Sequence, residues 1–443
     1  MKDSISRKTI ILVALPIILE SLAQNILNIT DTAFMGRIGE VNLGAAAIGS
    51  LYYFVFIMIA FGLGVGAQII IARRYGEGNL KMIGRTLEQT QYLMLAFAMV
   101  VLLLTRTFLP QILNSIVESD AIREKAFEYL SIRLFGLIPA FLNASFRAFF
   151  VGIARTKVIT YTTIVMTLVN VVLNYLLIFG MYGFPEMGIA GAALASVIAE
   201  SSALFVFFFY ARFQTITRDF RLFRFSGVQI HLMKRILRIS SPLMLQYFVS
   251  MVCWFSFFLL IEKMGETELA VSNLIRSAYI FMCLPIWGFS AVTNTFVSQL
   301  IGKGKQDQVL GIIPKVLSIA LPLTLFVAGL LALFARPALM VLTNDIALIE
   351  QALPVFYVIL GAAPLLTIGI ITFSALTGTG KTITGMFIEI AVLIIYVLFT
   401  WFVVRNLNWS LQAAWTVEYL YAVFLGVISY WYMRSGRWKK NDV

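Results

Sequence analysis

The chain of 443 residues is too apolar to be a soluble protein. Hydrophobic residues make up 60% of it and charged residues only 13%, and its mean hydropathy is +0.90. A soluble chain carries about 45–50% apolar and about 25% charged residues, because it must cover itself with polar surface. Lipid must therefore be the solvent of this chain, which excludes disordered, coiled-coil and nucleic-acid-binding proteins.

Apolar stretches of about 20 residues recur along the whole chain, and each is long enough to cross about 30 Å of hydrocarbon as a helix. Each is a continuous apolar run, unlike the ten-residue alternation that is typical of membrane barrels. The sequence thus predicts an all-α integral membrane protein with an even number of spans and both termini on one side. The predicted spans are residues 9–34, 43–71, 86–114, 127–151, 158–182, 188–211, 235–261, 269–300, 311–335, 350–375, 383–404 and 410–433.

The net charge is +12, and the distribution of the basic residues along the chain indicates the orientation of these spans. Of the 34 basic residues, most fall on the side that holds both termini, and only a few fall on the other side. Loops rich in Lys and Arg mark the cytoplasmic side of a membrane protein. We therefore expect both termini in the cytoplasm. The basic residues on that side lie within positions 2–8, 73–85, 155–157, 212–238, 303–315, 381 and 434–440.

The second half of the chain repeats the first at a constant offset. Matched positions include Pro16 with Pro242, Gly39 with Gly265, Tyr53 with Tyr279 and Gly62 with Gly288. The repeat predicts two parallel six-helix bundles, residues 1–211 and 235–443, which a cytoplasmic linker at 212–234 joins. Transporters that work by alternating access are built in this way; a duplicated scaffold without transport activity is the alternative.

We expect the protein to use no cofactor. The segment Ala375–Thr382 (ALTGTGKT) fits a relaxed phosphate-loop pattern, but it joins two membrane spans, where the strand that this motif needs is missing. We therefore expect no nucleotide. Cys253 and Cys283 lie in apolar runs and do not resemble a metal cluster, so we expect no metal other than sodium.

Four segments together resemble the multidrug and toxic compound extrusion (MATE) family across essentially the whole chain. They are residues 31–39 (DTAFMGRIG), 147–157 (RAFFVGIARTK), 170–180 (NVVLNYLLIFG) and 188–196 (GIAGAALAS). The resemblance implies secondary efflux of small organic compounds, often cationic, driven by entry of protons or sodium ions. It also implies no enzymatic activity and no nucleic-acid partner.

The sequence departs from the family pattern at two positions that concern the binding site of the coupling ion. Family members often carry an aspartate where this chain has Asn174, and one branch uses a glutamate in the seventh span. Here that span has no acidic residue from Pro242 to Ile261, and Gln246 and Ser250 are its polar candidates before Glu262 at its end. The resemblance therefore implies a coupling site in the N-terminal bundle.

Asp31 is the strongest candidate for the coupling ion. It lies about 22 residues from the cytoplasmic end of its span, which is roughly 33 Å along the helix, and an acid inside a span is a functional candidate. Asn170 and Asn174 share a helix face, and we expect them, with Ser196, in the outer half of the same bundle. Glu200, one turn from Ser196, is a possible second carboxylate. Hard oxygen donors of this kind suit a small cation, and a carboxylate can equally hold a proton.

The C-terminal bundle has acids of its own, Glu389 and Glu418, within its last two spans. The repeat maps Glu389 onto Thr163, so this acid is peculiar to the second half. We predict that Gln246, Glu389 and Glu418 face the substrate cavity and recognise cations; buried polar contacts between helices are the alternative.

The function predicted from the sequence is cation-coupled export of small organic compounds across a bacterial inner membrane, by a protein that we expect to be a monomer. A flippase of lipid-linked oligosaccharides is the main alternative, because such proteins share the plan of two bundles. A flippase would need a basic cavity, whereas the charges inside these spans are mainly acidic.

Overall fold

The computed structural model describes residues 5–213, 216–407 and 409–439, and in these ranges it contains helices and turns but no strands. Twelve helices are long and apolar enough to cross a membrane, which confirms the predicted number of spans. We label them α1 to α12. Their bounds are Arg7–Arg37, Glu40–Gly76, Leu80–Ile116, Asp120–Gly152, Lys157–Phe179, Gly188–Phe213, Ile230–Glu262, Glu266–Gly302, Gln306–Leu333, Ile346–Gly378, Thr382–Arg405 and Leu411–Arg434.

Local sequence signals fix several helix ends. The side chain of Asn79 accepts a hydrogen bond from the backbone N–H of Met82 at the start of α3, and Asp345 accepts two such bonds at the start of α10. These are helix caps, which satisfy backbone donors that have no partner within the helix. Helix α5 ends at Gly180, whose left-handed backbone (φ 64°) favours glycine. The predicted span, which ran to residue 182, was therefore slightly too long.

Helix α4 differs most from its predicted span of 127–151, because it begins at Asp120. Ser119 caps it, and Lys125 and Glu128 form an i,i+3 ion pair of 2.7 Å on its first turns. Hydropathy cannot detect these polar turns, since they carry helical signals without being apolar. As a result Arg133 lies more than three turns inside the helix, and not near its end as the sequence suggested.

The chain forms two compact units. The N unit consists of Leu19–Met244, and the C unit consists of Met1–Ile18 with Leu245–Val443. One boundary lies two residues after Pro16 in α1, and the other lies two residues after Pro242 in α7. The repeat matches these two prolines with each other. A proline removes one helical hydrogen bond, so both helices are weakened at the point where they pass from one unit to the other.

Matched glycines of the repeat permit close helix packing in both units. A Cβ atom at Gly62 in α2 would lie 2.6 Å from the Cα of Met244 at the boundary of the N unit. In the C unit, a Cβ at Gly288 in α8 would collide with the side chain of Ile18. Glycine therefore allows close backbone contact at Gly62 and makes room for the Ile18 side chain at Gly288.

The segment that precedes α7 is fixed on α3 within the N unit. A short helix spans Ile216–Phe220. The buried amide of Gln89 donates to the carbonyl of Gly227 at 2.8 Å and accepts from the backbone N–H of Gln229 at 2.8 Å. The end of this segment is therefore held by specific hydrogen bonds.

We expect Gly62→Ala to destabilise the protein by about 1–3 kcal/mol, because the new methyl group overlaps the backbone of Met244. Thermal unfolding of the detergent-purified protein measures the effect. Gly36→Ala is the matched control, since no atom lies within 4 Å of the Cβ that it would add. Equal melting temperatures for the two variants would contradict the close approach.

Candidate functional site

Four of the predicted site residues form one hydrogen-bonded cluster in the N unit. Asn174 in α5 donates its amide to the carboxylate of Asp31 in α1 at 2.6 Å and to the side-chain carbonyl of Asn170 at 2.9 Å. Asn170 in turn donates to the hydroxyl of Ser196 in α6 at 3.3 Å. Both asparagines are only 1% exposed. The structure thus brings together side chains from α1, α5 and α6.

The oxygen atoms of this cluster are not all satisfied. The side-chain carbonyl oxygen of Asn174 is buried and has no hydrogen-bond partner in the described part of the chain. No described basic residue forms an ion pair with Asp31. A buried acceptor without a donor and a carboxylate without a counter-charge are both unfavourable, and both would be stabilised by a small cation.

Glu200, predicted as a second carboxylate, lies outside this hydrogen-bonded cluster and forms a partly buried ion pair. The guanidinium of Arg133 in α4 donates to its two oxygens at 2.6 and 2.9 Å, and the hydroxyl of Tyr53 in α2 donates to it at 3.0 Å. The guanidinium also lies 3.6 Å from the centre of the Tyr53 ring. The charges of Arg133 and Glu200 both act on Asp31.

Arg133 is the residue that the sequence reasoning missed. It was assigned to a span end because the predicted span began at residue 127, and the signal that could have placed it was the cap at Ser119. Gly136, one turn later, makes room for the pair, since a Cβ there would lie 2.5 Å from a carboxylate oxygen of Glu200. A second buried pair joins Arg147 to Glu20 at 3.0 Å.

In the C unit, Gln246 and Glu389 are direct partners. The amide of Gln246 in α7 donates to Glu389 in α11 at 2.9 Å, the hydroxyl of Ser250 donates at 2.9 Å, and that of Tyr421 at 3.2 Å. The side-chain carbonyl oxygen of Gln246 has no hydrogen-bond partner within the described ranges. This cluster therefore also combines a carboxylate with an unsatisfied acceptor.

Glu418, the third residue predicted to line a substrate cavity, lies apart from Gln246 and is 2% exposed. It accepts hydrogen bonds from Tyr279 in α8 at 2.9 Å and from Tyr396 in α11 at 3.0 Å. Its surroundings belong to the aromatic core of the C unit, which includes Phe257 and Trp415. A substrate could reach this carboxylate only if these side chains moved.

The described residues contain no group of three or more His, Cys, Asp or Glu side chains that could hold a metal ion. Cys253 and Cys283 do not pair with each other.

Comparisons with known proteins agree with this picture. The MatE family model matches residues 16–176 and again 242–402, and the second match begins and ends at the positions that the repeat pairs with those of the first, which confirms the repeat. The chain is 27% identical to "Probable multidrug resistance protein NorM" of Thermotoga maritima, over 99% of this chain and 94% of the relative.

Solved structures show the same fold. The outward-facing structure of a multidrug resistance MATE family transporter covers 98% of this chain and 97% of its own, with a TM-score of 0.89 at 19% identity. A Vibrio cholerae MATE transporter covers 98% of each chain, with a TM-score of 0.87 at 16% identity.

We expect Arg133→Met to lower the stability by about 1–3 kcal/mol, because it leaves the partly buried carboxylate of Glu200 without its counter-charge. Thermal unfolding of the purified protein measures this loss. The double variant Arg133→Met with Glu200→Gln should regain most of it, since the unpaired charge is then removed. Additive losses from the two substitutions would show that the pair does not act as a unit.

Proposed function

Because the chain belongs to the MatE family, that of multidrug and toxic compound extrusion, we propose that it is a secondary antiporter that exports small organic compounds, often cationic, in exchange for protons or sodium ions. It is a membrane transporter and not an enzyme. The printed name of the Thermotoga maritima relative, a multidrug resistance protein, supports the choice of substrate class. Alternating access across the bilayer accounts for the two repeated halves.

The observation that carries this proposal is that Asp31 forms no ion pair with a described basic residue. Its carboxylate lies in a helix bundle, and its hydrogen-bond partner is the neutral amide of Asn174. An ionised carboxylate in such surroundings costs free energy unless a positive charge approaches it. Asp31 therefore requires a cation that can arrive and leave, which is what a coupling site must provide.

Protons and sodium ions would use the cluster differently. A proton on the second oxygen of Asp31, which accepts no hydrogen bond from the described residues, leaves the amide bonds of Asn174 as they are. A sodium ion instead requires oxygen ligands, so the unsatisfied carbonyl of Asn174 would turn towards it beside Asn170 and Ser196. Both ions fit the donor set, and Glu200 supports either one by holding Arg133 in place rather than as a ligand.

Gln246 and Glu389 are the residues that we propose for recognition of cationic substrates. A carboxylate attracts the positive charge, and the free carbonyl oxygen of Gln246 offers an acceptor to a substrate N–H group. The aromatic and methionine side chains of the chain, which include 37 Phe and 17 Met, can contribute contacts to flat apolar cations.

A flippase of lipid-linked oligosaccharides is less well supported. Such a protein needs free basic side chains for a pyrophosphate, but the buried Arg133 and Arg147 are neutralised by Glu200 and Glu20. Both arginines are therefore neutralised, whereas Asp31 has no ion-pair partner among the described residues.

We further propose that the protein acts as a monomer in the inner membrane of a bacterium, with both termini in the cytoplasm. The excess of basic residues on the side of the termini supports this orientation. The multidrug resistance relatives named NorM come from bacteria such as Thermotoga maritima and Geobacillus kaustophilus.

We expect Asp31→Asn to abolish gradient-driven efflux while substrate binding and expression are retained, because the amide keeps the shape but can carry neither a proton nor a charge. Counterflow of a fluorescent cation in vesicles, under an imposed proton gradient or an imposed sodium gradient, measures the loss and identifies the ion. Asp307→Asn is the control, since Asp307 is exposed and its carboxylate is bonded to Lys439. Wild-type efflux by Asp31→Asn would exclude Asp31 as the coupling residue.

We expect Glu389→Gln to weaken the binding of cationic substrates more than that of neutral ones, because the substitution removes the negative charge but preserves hydrogen bonding. Binding to the purified protein by calorimetry measures both affinities. Glu350→Gln is the matched control, since this acid of the C unit lies at the surface in an ion pair with Arg336. An equal loss for both substrate types would assign Glu389 a purely structural role.

A further inference from the structure

Each unit contains a tyrosine that donates a hydrogen bond to a buried glutamate, and the two tyrosines are equivalent in the repeat. In the N unit Tyr53 of α2 donates to Glu200 of α6 at 3.0 Å. In the C unit Tyr279 of α8, which the repeat matches with Tyr53, donates to Glu418 of α12 at 2.9 Å. Helices α6 and α12 are the sixth spans of their halves. Two equivalent tyrosines thus each bind a glutamate of the sixth span, although the repeat itself matches Glu200 with Gly426.

The third partner of each pair differs, and this difference changes the chemistry. Glu200 is bound by the guanidinium of Arg133, which has five donors and no acceptor and stays charged. It therefore gives Glu200 a counter-charge within the chain. The repeat places Val358 or Ile359 at the position of Arg133 in the C unit. Glu418 receives instead the hydroxyl of Tyr396, which is neutral.

Among the described residues, no basic side chain forms an ion pair with Glu418. Helix α10, which packs on α12, has Glu350 as its one charged residue, and Glu350 is already paired with Arg336. The titratable groups that face Glu418 or its partners are Tyr279 and Cys283 from α8, Tyr396 and Glu389 from α11, Tyr421 from α12 and Cys253 from α7. A negative charge on Glu418 thus has only hydroxyl groups to stabilise it.

We propose that Glu418, with Tyr279 and Tyr396, is a second proton-binding site, which the C unit uses in each transport cycle. A tyrosine hydroxyl can both donate and accept a hydrogen bond. The two hydroxyls therefore stabilise the carboxylate when the proton is absent, and one of them can turn and accept from the carboxyl group when the proton is bound. The same pocket holds both forms without a change in the backbone. Sodium fits less well, because Phe257 and Trp415 line the pocket with apolar surface rather than with oxygen ligands.

The proton on Glu418 is coupled to the cation that Glu389 recognises. Tyr421 donates to Glu389, Tyr396 donates to Glu418, and the two tyrosine rings meet edge to face with centroids 6.2 Å apart. A cationic substrate at Glu389 repels a proton on Glu418 and so favours its release. The C unit thus releases a proton from Glu418 when it binds a cationic substrate at Glu389. This step rests on the proposed cation export, whereas the proton site itself does not.

Proton release on substrate binding tests the site directly. The purified protein in a weakly buffered solution with a pH indicator is mixed with saturating tetraphenylphosphonium, and calorimetry reports the amount bound. We expect Glu418→Gln to bind the cation but to release about one proton fewer per bound cation than the wild type. Asp31→Asn should still release this proton, so the result does not depend on the role of Asp31. Unchanged proton release by Glu418→Gln would overturn the proposal.

A second pair of variants keeps the proposal testable if Glu418→Gln does not fold. Tyr279→Phe removes one donor to the carboxylate, so Glu418 should hold its proton to a higher pH and proton release should shift upward in pH. Tyr53→Phe is the matched control from the other unit and should cause no shift, because Glu200 keeps the guanidinium of Arg133 as its counter-charge. Equal behaviour of the two variants would contradict a proton site at Glu418.

Discussion

A carboxylate inside a bundle of membrane helices needs a positive charge beside it, and this requirement organises the interior of the protein. Two buried acids, Glu20 and Glu200, are paired with arginines at 3.0 and 2.6 Å. Three others, Asp31, Glu389 and Glu418, are held by amides and hydroxyls. The first two charges are neutralised permanently by the chain itself. The other three can be neutralised only by something that the chain does not contain, and these are the positions at which ions or substrates can act.

The repeat supplies the frame on which these acids are placed. Pro16 and Pro242 weaken α1 and α7 at corresponding points, and the boundary between the units follows two residues later in both helices. The matched glycines permit the same close approach in each unit. Because the scaffold is common to both halves, a functional difference between the units must come from side chains rather than from the arrangement of the helices.

Much of the fold could be read from the sequence, because the signals for it are local or repeated. Continuous apolar runs predicted all twelve spans, and matched residues predicted the repeat. The grouping of Asp31 with Asn174 followed from depth along the helices. The partners of Glu200 and Glu418 did not follow, because they depend on which faces of distant helices meet. Arg133 was misplaced for a more specific reason, since the polar first turns of α4 hid the true start of the helix.

This chain has Asn174 where members of the family often carry an aspartate, and this difference fits the distribution of acids between the two units. With an asparagine there, the hydrogen-bonded cluster of the N unit has one carboxylate, Asp31, and the nearby Glu200 is fixed by Arg133. In the C unit, the buried carboxylates Glu389 and Glu418 have no arginine partner among the described residues, and two tyrosines in edge contact connect them. An additional acid in the N unit would repel Asp31, whereas an acid in the C unit can interact with a substrate cation. In the proposed mechanism, one ion site in the N unit is thus separate from a pair of acids in the C unit, where the charge of the substrate and a proton compete.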